Sequence, residues 1–266
     1  MPQPARLHLS VVIPVHNERD NLSPLTAQIV KTLTGQVSSF EIIYVDDGST
    51  DGSGPLLDEL ASYYLEVRVF HFDRNYGQTS AFDAGFHQAG GDLIATLDSD
   101  LQFDPADILT LLPLAEHYDL VCGWRKDRHD TLVKRLSSRI ANAIRNAVVH
   151  DGVHDTGCSL KVFRRRVVER IPLFEGMHRF FPALARMRGF TVTEAPVRHF
   201  PRIHGQSKYS IGNRIFKTLR DLLVVRWMQG RRFRYRYRDY KLNVNRYSLI
   251  VKKPNKKCLR RLTINV

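Results

Sequence analysis

The sequence predicts an α/β fold built on a mostly parallel, doubly wound sheet, and three observations carry that prediction. Apolar, β-branched runs alternate with helix-compatible stretches at crossover length. Acidic and polar residues follow directly after several of the runs, at the edge where open α/β sheets bind their ligands. At 266 residues the chain is long enough for one large α/β unit plus a short appendage.

Ser10 to Val15 reads as a buried first strand, because its β-branched residues leave no wet face. Helical spacing follows from Asn21 to Thr34. A second strand, Phe40 to Val45, ends in Asp46-Asp47-Gly48-Ser49. Further strand-like runs fall at Val67 to Phe72, Leu93 to Leu97 and Asp119 to Gly123, with helix-compatible stretches at Gln78 to Gln88 and Pro105 to His117. Two later helices differ in kind. In Asp130 to His150, Leu132, Leu136, Ile140, Ile144 and Val148 recur every fourth residue, while Lys134, Arg135, Arg139 and Arg145 share the remaining surface. In Ser210 to Met228, Ile211, Ile215, Leu219, Leu222 and Leu223 form one stripe, with Arg214, Lys217, Arg220 and Arg226 elsewhere. Basic amphipathic helices of this length suit a membrane interface; each stripe can equally pack on the sheet.

Composition narrows the function classes. With 43% hydrophobic and 25% charged residues the chain is ordinary globular material, not a disordered or collagen-like one. No apolar run approaches the roughly 18 to 20 residues that span a bilayer, and no secretory signal is expected. Cys122, Cys158 and Cys258 lack CxxC spacing, so neither a metal cage nor a disulfide framework is indicated, and a reducing cytoplasm is the expected home. The net charge of +13 sits almost wholly after Gly230, where 13 Lys or Arg face one acid, Asp239. Such a tail seeks an anionic surface, lipid headgroup or nucleic acid. The expected layout is a catalytic domain over 1–209 with an amphipathic helix at about 130–150, an interfacial helix over 210–230, and a basic tail over 231–266.

The sharpest chemical signal is Asp98-Ser99-Asp100-Leu101-Gln102, just past a strand. Two carboxylates two residues apart can face one crevice, and Mg²⁺ or Mn²⁺ takes such oxygen ligands while keeping positions for diphosphate oxygens. Alone, a DxD is also a common solvated turn. Two other strand ends reinforce it: Asp46-Asp47-Gly48-Ser49-Thr50-Asp51, and Pro14-Val15-His16-Asn17-Glu18, where a base and ribose could lie. There is no GxGxxG after the first strand and no GxxxxGK[ST], which disfavours dinucleotide oxidoreductases and P-loop NTPases. His150 and His154, four apart without the intervening Glu of a metalloprotease helix, read as ordinary surface histidines.

Six segments in order carry a family resemblance: Val11 to Glu18, Val45 to Asp51, Asp98 to Gln102, Gly123 to Arg128, Asp155 to Arg165 and Arg202 to Tyr209. Over about residues 8–228 the chain resembles a family 2 glycosyltransferase of the dolichyl- or polyprenyl-phosphate type. The resemblance implies a GT-A fold, a nucleoside diphosphate sugar donor, a divalent metal and inversion at the anomeric carbon. It implies that Pro14, His16, Glu18 and Asp47 hold the nucleoside, with His16 standing where relatives commonly have Tyr. Asp98 would take the ribose or metal side, and Asp100 with Gln102 the metal. Arg125, Arg139, Arg202 and Lys208 would meet the donor diphosphate and acceptor phosphate, with Ser207 nearby; Asp100, Arg125 and Arg139 form the expected catalytic set.

Acceptor chemistry points the same way. A sugar hydroxyl near neutral pH needs a general base, whereas a lipid monophosphate, with a second pKa of about 6, is already an anionic nucleophile that needs only positioning and screening. The chain lacks a QxxRW motif, since Leu223 stands at the Gln offset before Arg226-Trp227. The expectation is therefore hexosyl transfer from a UDP- or GDP-sugar to polyprenyl phosphate, by a peripheral protein on the cytoplasmic face of a membrane with anionic headgroups. A saccharide or lipid-A hydroxyl is the alternative acceptor. A nucleic-acid-binding role is not expected, because the body outside the tail is nearly neutral; a homo-oligomer is left open.

Overall fold

The computed structural model describes residues 8–126, 145–201 and 211–231, the last from Leu219 onward with side chains, and the backbone of 249–250 and 261–262. The chain divides into two units, Met1–Arg232 and Phe233–Val266.

The first unit is organised by a seven-stranded sheet in the order β3-β2-β1-β4-β6-β5-β7. Its strands are β1 Leu9–Val15, β2 Phe40–Asp46, β3 Val67–His71, β4 Leu93–Thr96, β5 Leu120–Trp124, β6 Lys161–Arg164 and β7 Val192–Pro196. Parallel pairing joins β1 to β2 and β4, β2 to β3, and β5 to β7; β6 alone runs antiparallel to both its neighbours. All seven residues of β1 are buried. That fits a central parallel strand covered on both faces.

The helices are α1 Arg19–Leu33, α2 Ser53–Tyr63, α3 Gln78–Gln88, α4 Ala106–Leu111, α5 Arg165–Val168, α6 Phe181–Met187 and α7 Ile211–Gly230. Two apolar layers result. One joins Val11, Ile13, Ile42 and Tyr44 to Leu22, Leu25 and Ile29 of α1. The other joins Val12, Ile43 and Phe163 to Phe82 and Phe86 of α3 and to Phe181 and Leu184 of α6. Helix α3 approaches the sheet so closely that a Cβ on Gly85 would lie 2.3 Å from Val12 Cγ1.

The strand-like runs read from sequence are β1 to β5, and the stretch Pro105 to His117 divides into α4 and a 3₁₀ turn, Pro113–Glu116. The short strands β6 and β7 are not among those runs. Two helix readings need correction. In α7, Leu222 and Val225 are buried whereas Leu219, Leu223 and Trp227 are exposed, so the apolar residues divide between two faces instead of forming one stripe. Arg145 is not part of a wet face: it is 7% exposed and its Nε pairs with Asp151 at 2.8 Å. Leu132, Leu136, Ile140 and Ile144, and the side chains of Ile211 and Ile215, lie outside the described residues. In the second unit the described backbone forms one antiparallel pair, β8 Leu249–Ile250 with β9 Arg261–Leu262.

Candidate active site

The ends of β1 and β2 are stitched together. Asn17, at φ 55, uses its left-handed backbone to turn the chain into α1. Its Oδ1 accepts from Thr50 N at 2.7 Å and its N donates to Ser49 Oγ at 2.9 Å. Glu18 N donates to Ser53 Oγ, and Glu18 Oε2 accepts from Asn21. Asp46 Oδ1 receives Ser49 N at 3.0 Å, while its Oδ2 meets His71, whose other ring nitrogen meets Asp58. Partial burial lowers the His71 pKa, but these two carboxylates outweigh it and hold the imidazole above its ordinary value. Gly48, at φ 66, is required here, because a Cβ would fall 2.4 Å from the Arg74 carbonyl carbon.

Asp47 is 3% exposed, and both its oxygens are gripped from one turn: Oδ1 accepts Tyr76 N at 2.6 Å and Oδ2 accepts Gly77 N at 2.9 Å. Burial raises its pKa despite those amides. His16 donates from Nδ1 to the Asp47 carbonyl oxygen at 2.8 Å, which fixes the ring's orientation beside the same loop. Pro14 lies buried in β1, at the register of Val45. The four residues expected at the nucleoside thus surround the paired ends of β1 and β2.

One strand over, β4 delivers the acidic turn. Asp98 Oδ1 accepts Gln78 Nε2 at 2.9 Å. Asp100 is 5% exposed, and its Oδ1 accepts Gln102 N at 3.2 Å across Leu101, whose φ of 58 bends the chain back. Gln102 also donates from Nε2 to the Phe200 carbonyl at 3.3 Å. Burial and the Asp100 carboxylate push the Asp98 pKa up to about 6, against the opposing influence of Ser159, Lys161 and Arg125. A carboxylate crowded by a second one is what a hard cation relieves, so these oxygens fit Mg²⁺ or Mn²⁺. Among the described residues no three His, Cys, Asp or Glu side chains form a metal cage. Diphosphate oxygens and water would have to complete the shell.

The cations nearby are already partnered. Arg125, at the end of β5, forms a two-pronged bond with Asp155: Nε to Oδ2 at 2.7 Å and Nη2 to Oδ1 at 2.9 Å. Their side chains are 12% and 7% exposed. Lys161, 3% exposed at the start of β6, donates from Nζ to the Thr156 and Cys158 carbonyls. The loop carrying Asp155 is pinned from below, since Arg145 reaches Thr156 Oγ1 at 2.6 Å and the Val153 carbonyl at 2.8 Å. Beside it, His154 is a surface histidine, as read from sequence, with its side chain 68% exposed; it stacks on Trp124 at 4.7 Å between ring centroids and pairs with Glu194. Two open clefts flank Phe200-Pro201. One, of about 610 Å³, is lined by Lys126, Arg198 and His199; the other, of about 770 Å³, by Lys31, Leu101 and Phe103. Neither is lined by Asp98 or Asp100, and only the second takes in a residue of the acidic turn, Leu101.

The structure therefore gathers Asp98, Asp100, Gln102 and Arg125 at one edge, with Pro14, His16, Glu18 and Asp47 beside them. Arg139, Arg202, Ser207 and Lys208 lie outside the described residues. Gln78, Asp155 and Lys161 have no individual role in the sequence reading. Lys161 carried a signal, a lone cation before the apolar pair Val162-Phe163; Gln78 carried none.

The comparisons with known proteins agree with this geometry. The family model for glycosyl transferase family 2 matches residues 10–172. The dodecaprenyl-phosphate galacturonate synthase of Rhizobium johnstonii is 39% identical over 228 residues, covering 82% of this chain and 66% of that protein. The undecaprenyl-phosphate 4-deoxy-4-formamido-L-arabinose transferase of Yersinia enterocolitica is 40% identical over 224 residues, covering 81% and 66%. The chain thus spans about two thirds of the length of these relatives. Among solved structures, glucosyl-3-phosphoglycerate synthase of Mycobacterium tuberculosis, in complex with Mn²⁺, UDP and phosphoglyceric acid, superposes with a TM-score of 0.62 at 18% identity, covering 85% of this chain and 78% of that one. Its likeness bears on the fold, which is GT-A. With the family model spanning β1 through α5, the chain belongs to glycosyl transferase family 2.

Proposed function

We propose that the protein is an inverting glycosyltransferase that moves a sugar from a nucleoside diphosphate donor to polyprenyl phosphate at the cytoplasmic face of a membrane. One observation carries the reading: the acids of β2 and β4 are held at one edge by a single turn, residues 76–78, in a chain whose relatives are named for polyprenyl-phosphate sugar transfer. Asp47, His16 and Glu18 bound the nucleoside. Asp98, Asp100 and the Gln102 side-chain oxygen would hold Mg²⁺ or Mn²⁺, which when bound supplies charge neutralisation for the departing diphosphate. Arg125, oriented by Asp155, adds positive potential beside Asp98. The acceptor phosphate arrives ionised and needs no base. Its positioning falls to Arg139, Arg202, Ser207 and Lys208.

Helix α7 supports work at a lipid surface. No helix among the described residues is long and apolar enough to cross a membrane. Leu219, Leu223 and Trp227, spaced four apart, are 44%, 66% and 63% exposed, and Arg220, Arg226 and Arg231 are exposed around them, with Arg231 over the Trp227 ring. An apolar ridge with a basic border lies naturally in the headgroup plane. Leu223→Glu is expected to lower co-sedimentation with vesicles containing phosphatidylglycerol about tenfold, leaving turnover of a detergent-dispersed acceptor intact. Unchanged sedimentation would remove the ridge from the membrane contact.

The decisive assay incubates the purified protein with UDP- and GDP-sugars, Mg²⁺ or Mn²⁺, and either undecaprenyl phosphate, lipid A or a saccharide acceptor, then examines the products by mass spectrometry. A glycosyl phosphate labile to mild acid is the expected product. An acid-stable glycoside formed on a saccharide or lipid-A hydroxyl would instead establish the alternative acceptor.

A further inference from the structure

Segment 76–78 touches both acids of the site. Gly77, at φ 90 and ψ 155, caps α3 and turns the chain so that its own amide and that of Tyr76 face the Asp47 carboxylate. The next residue, Gln78, opens α3 and sends its amide the other way, to Asp98 Oδ1 at 2.9 Å. Thr79 then anchors the turn from behind: its hydroxyl accepts Gly176 N at 3.0 Å and pairs with His178 Nδ1 at 2.6 Å. The turn is thus fixed on three sides, and Gln78 projects from a rigid base.

The Gln78 amide has a particular chemistry. Its Nε2 group only donates, so it can occupy one oxygen of Asp98 but cannot compete with that carboxylate for a cation. With Oδ1 taken, rotation of the carboxylate is restrained. Residues that orient a metal-binding carboxylate in this way typically change metal affinity 10- to 100-fold when removed.

We infer that Gln78 is a positioning residue for the divalent-cation site: its amide hydrogen bond helps aim Asp98, and the same turn sets the spacing between the nucleoside-side acid, Asp47, and the cation-side acid. This inference rests on the reading of Asp98 and Asp100 as cation ligands. It gives Gln78 no contact with the sugar or with the transferred group.

The test uses the full chain and Mn²⁺ alone, titrated while the free ion is followed by electron paramagnetic resonance. UDP and GDP binding are measured in parallel by calorimetry in EDTA. Gln78→Met keeps the side-chain volume and deletes the donor; Gln78→Asn keeps the amide but withdraws it by one methylene. Both should weaken Mn²⁺ binding about tenfold or more, with unfolding temperature and metal-free nucleotide binding near wild type. Asp100→Ala serves as the reference for the cation site. If Asp100→Ala loses Mn²⁺ while both Gln78 variants bind it like wild type, the positioning role is wrong and the cation site stands. If metal-free nucleotide binding falls in step with Mn²⁺ binding, Gln78 merely supports the turn and the inference fails. Should Asp100→Ala bind Mn²⁺ unchanged, or wild type bind none, the cation reading falls and the inference with it.

Discussion

Asp100→Ala is expected to cut sugar transfer at least about 10³-fold while leaving the fold intact. Asp100 is nearly buried, and its Oδ1 accepts the Gln102 backbone amide within its own turn. Its carboxylate works against the stability of its neighbourhood, because it raises the pKa of Asp98. Removing it relieves that repulsion, so thermal unfolding should occur at or slightly above the wild-type temperature. Transfer of radiolabelled sugar to polyprenyl phosphate, set beside a melting curve for the same preparation, checks both halves. Activity within tenfold of wild type would sink the role given to Asp100.

A second large effect is expected at Asp155. Its two oxygens hold the Arg125 guanidinium in a two-pronged bond where both side chains are almost excluded from water. Asp155→Ala leaves that guanidinium buried without its counter-charge, a change that costs about 3–5 kcal/mol. Urea unfolding should show the loss as a lowered midpoint. The double variant Arg125→Met with Asp155→Ala should recover part of it, since no guanidinium is then left buried without a counter-charge, while the Arg125 and Gly157 amides still lose their acceptor. Both variants should transfer sugar poorly, because each loses the oriented cation beside Asp98. A single variant as stable as wild type would show that solvent already reaches the pair.

The parts of the fold legible in the sequence are those set by local pattern. Strands β1, β2 and β4 are apolar runs that end in polar clusters, so both their burial and the location of Asp47, Asp98 and Asp100 follow from reading along the chain. Strand β6 is four residues bounded by Lys161 and Arg164, and β7 is a half-exposed edge strand, Val192 to Pro196, containing Glu194. Charges at such positions hide a strand, because what buries or tolerates them comes from distant segments. Lys161 is satisfied by carbonyls in a loop, and Arg164 by Ala115 and Glu116 carbonyls nearly fifty residues away. The same limit applies to Gln78, whose partner lies twenty residues along. In α7 periodicity correctly indicates an amphipathic helix, but a helix bearing Leu219, Leu222, Leu223, Val225 and Trp227 has apolar residues around much of its girth. Which of them turn inward is decided by the core cluster that includes Met177 and Phe180.

The reversed direction of β6 has a consequence for how this molecule tolerates change. An antiparallel strand brings its incoming chain, not its outgoing chain, to the rim where its parallel neighbours finish. That is how residues 151–160, which include Asp155, come to lie beside Asp98 and Arg125. The chain leaving β6 after Arg164 emerges at the opposite rim, one strand length or about 13 Å away. Insertions just after Val168 therefore enter at the rim remote from the reacting groups and bear on the site through the Gly176 and His178 anchors of the turn at 76–78, whereas a one-residue change in length between Asp151 and Ser159 would swing Asp155 off its arginine.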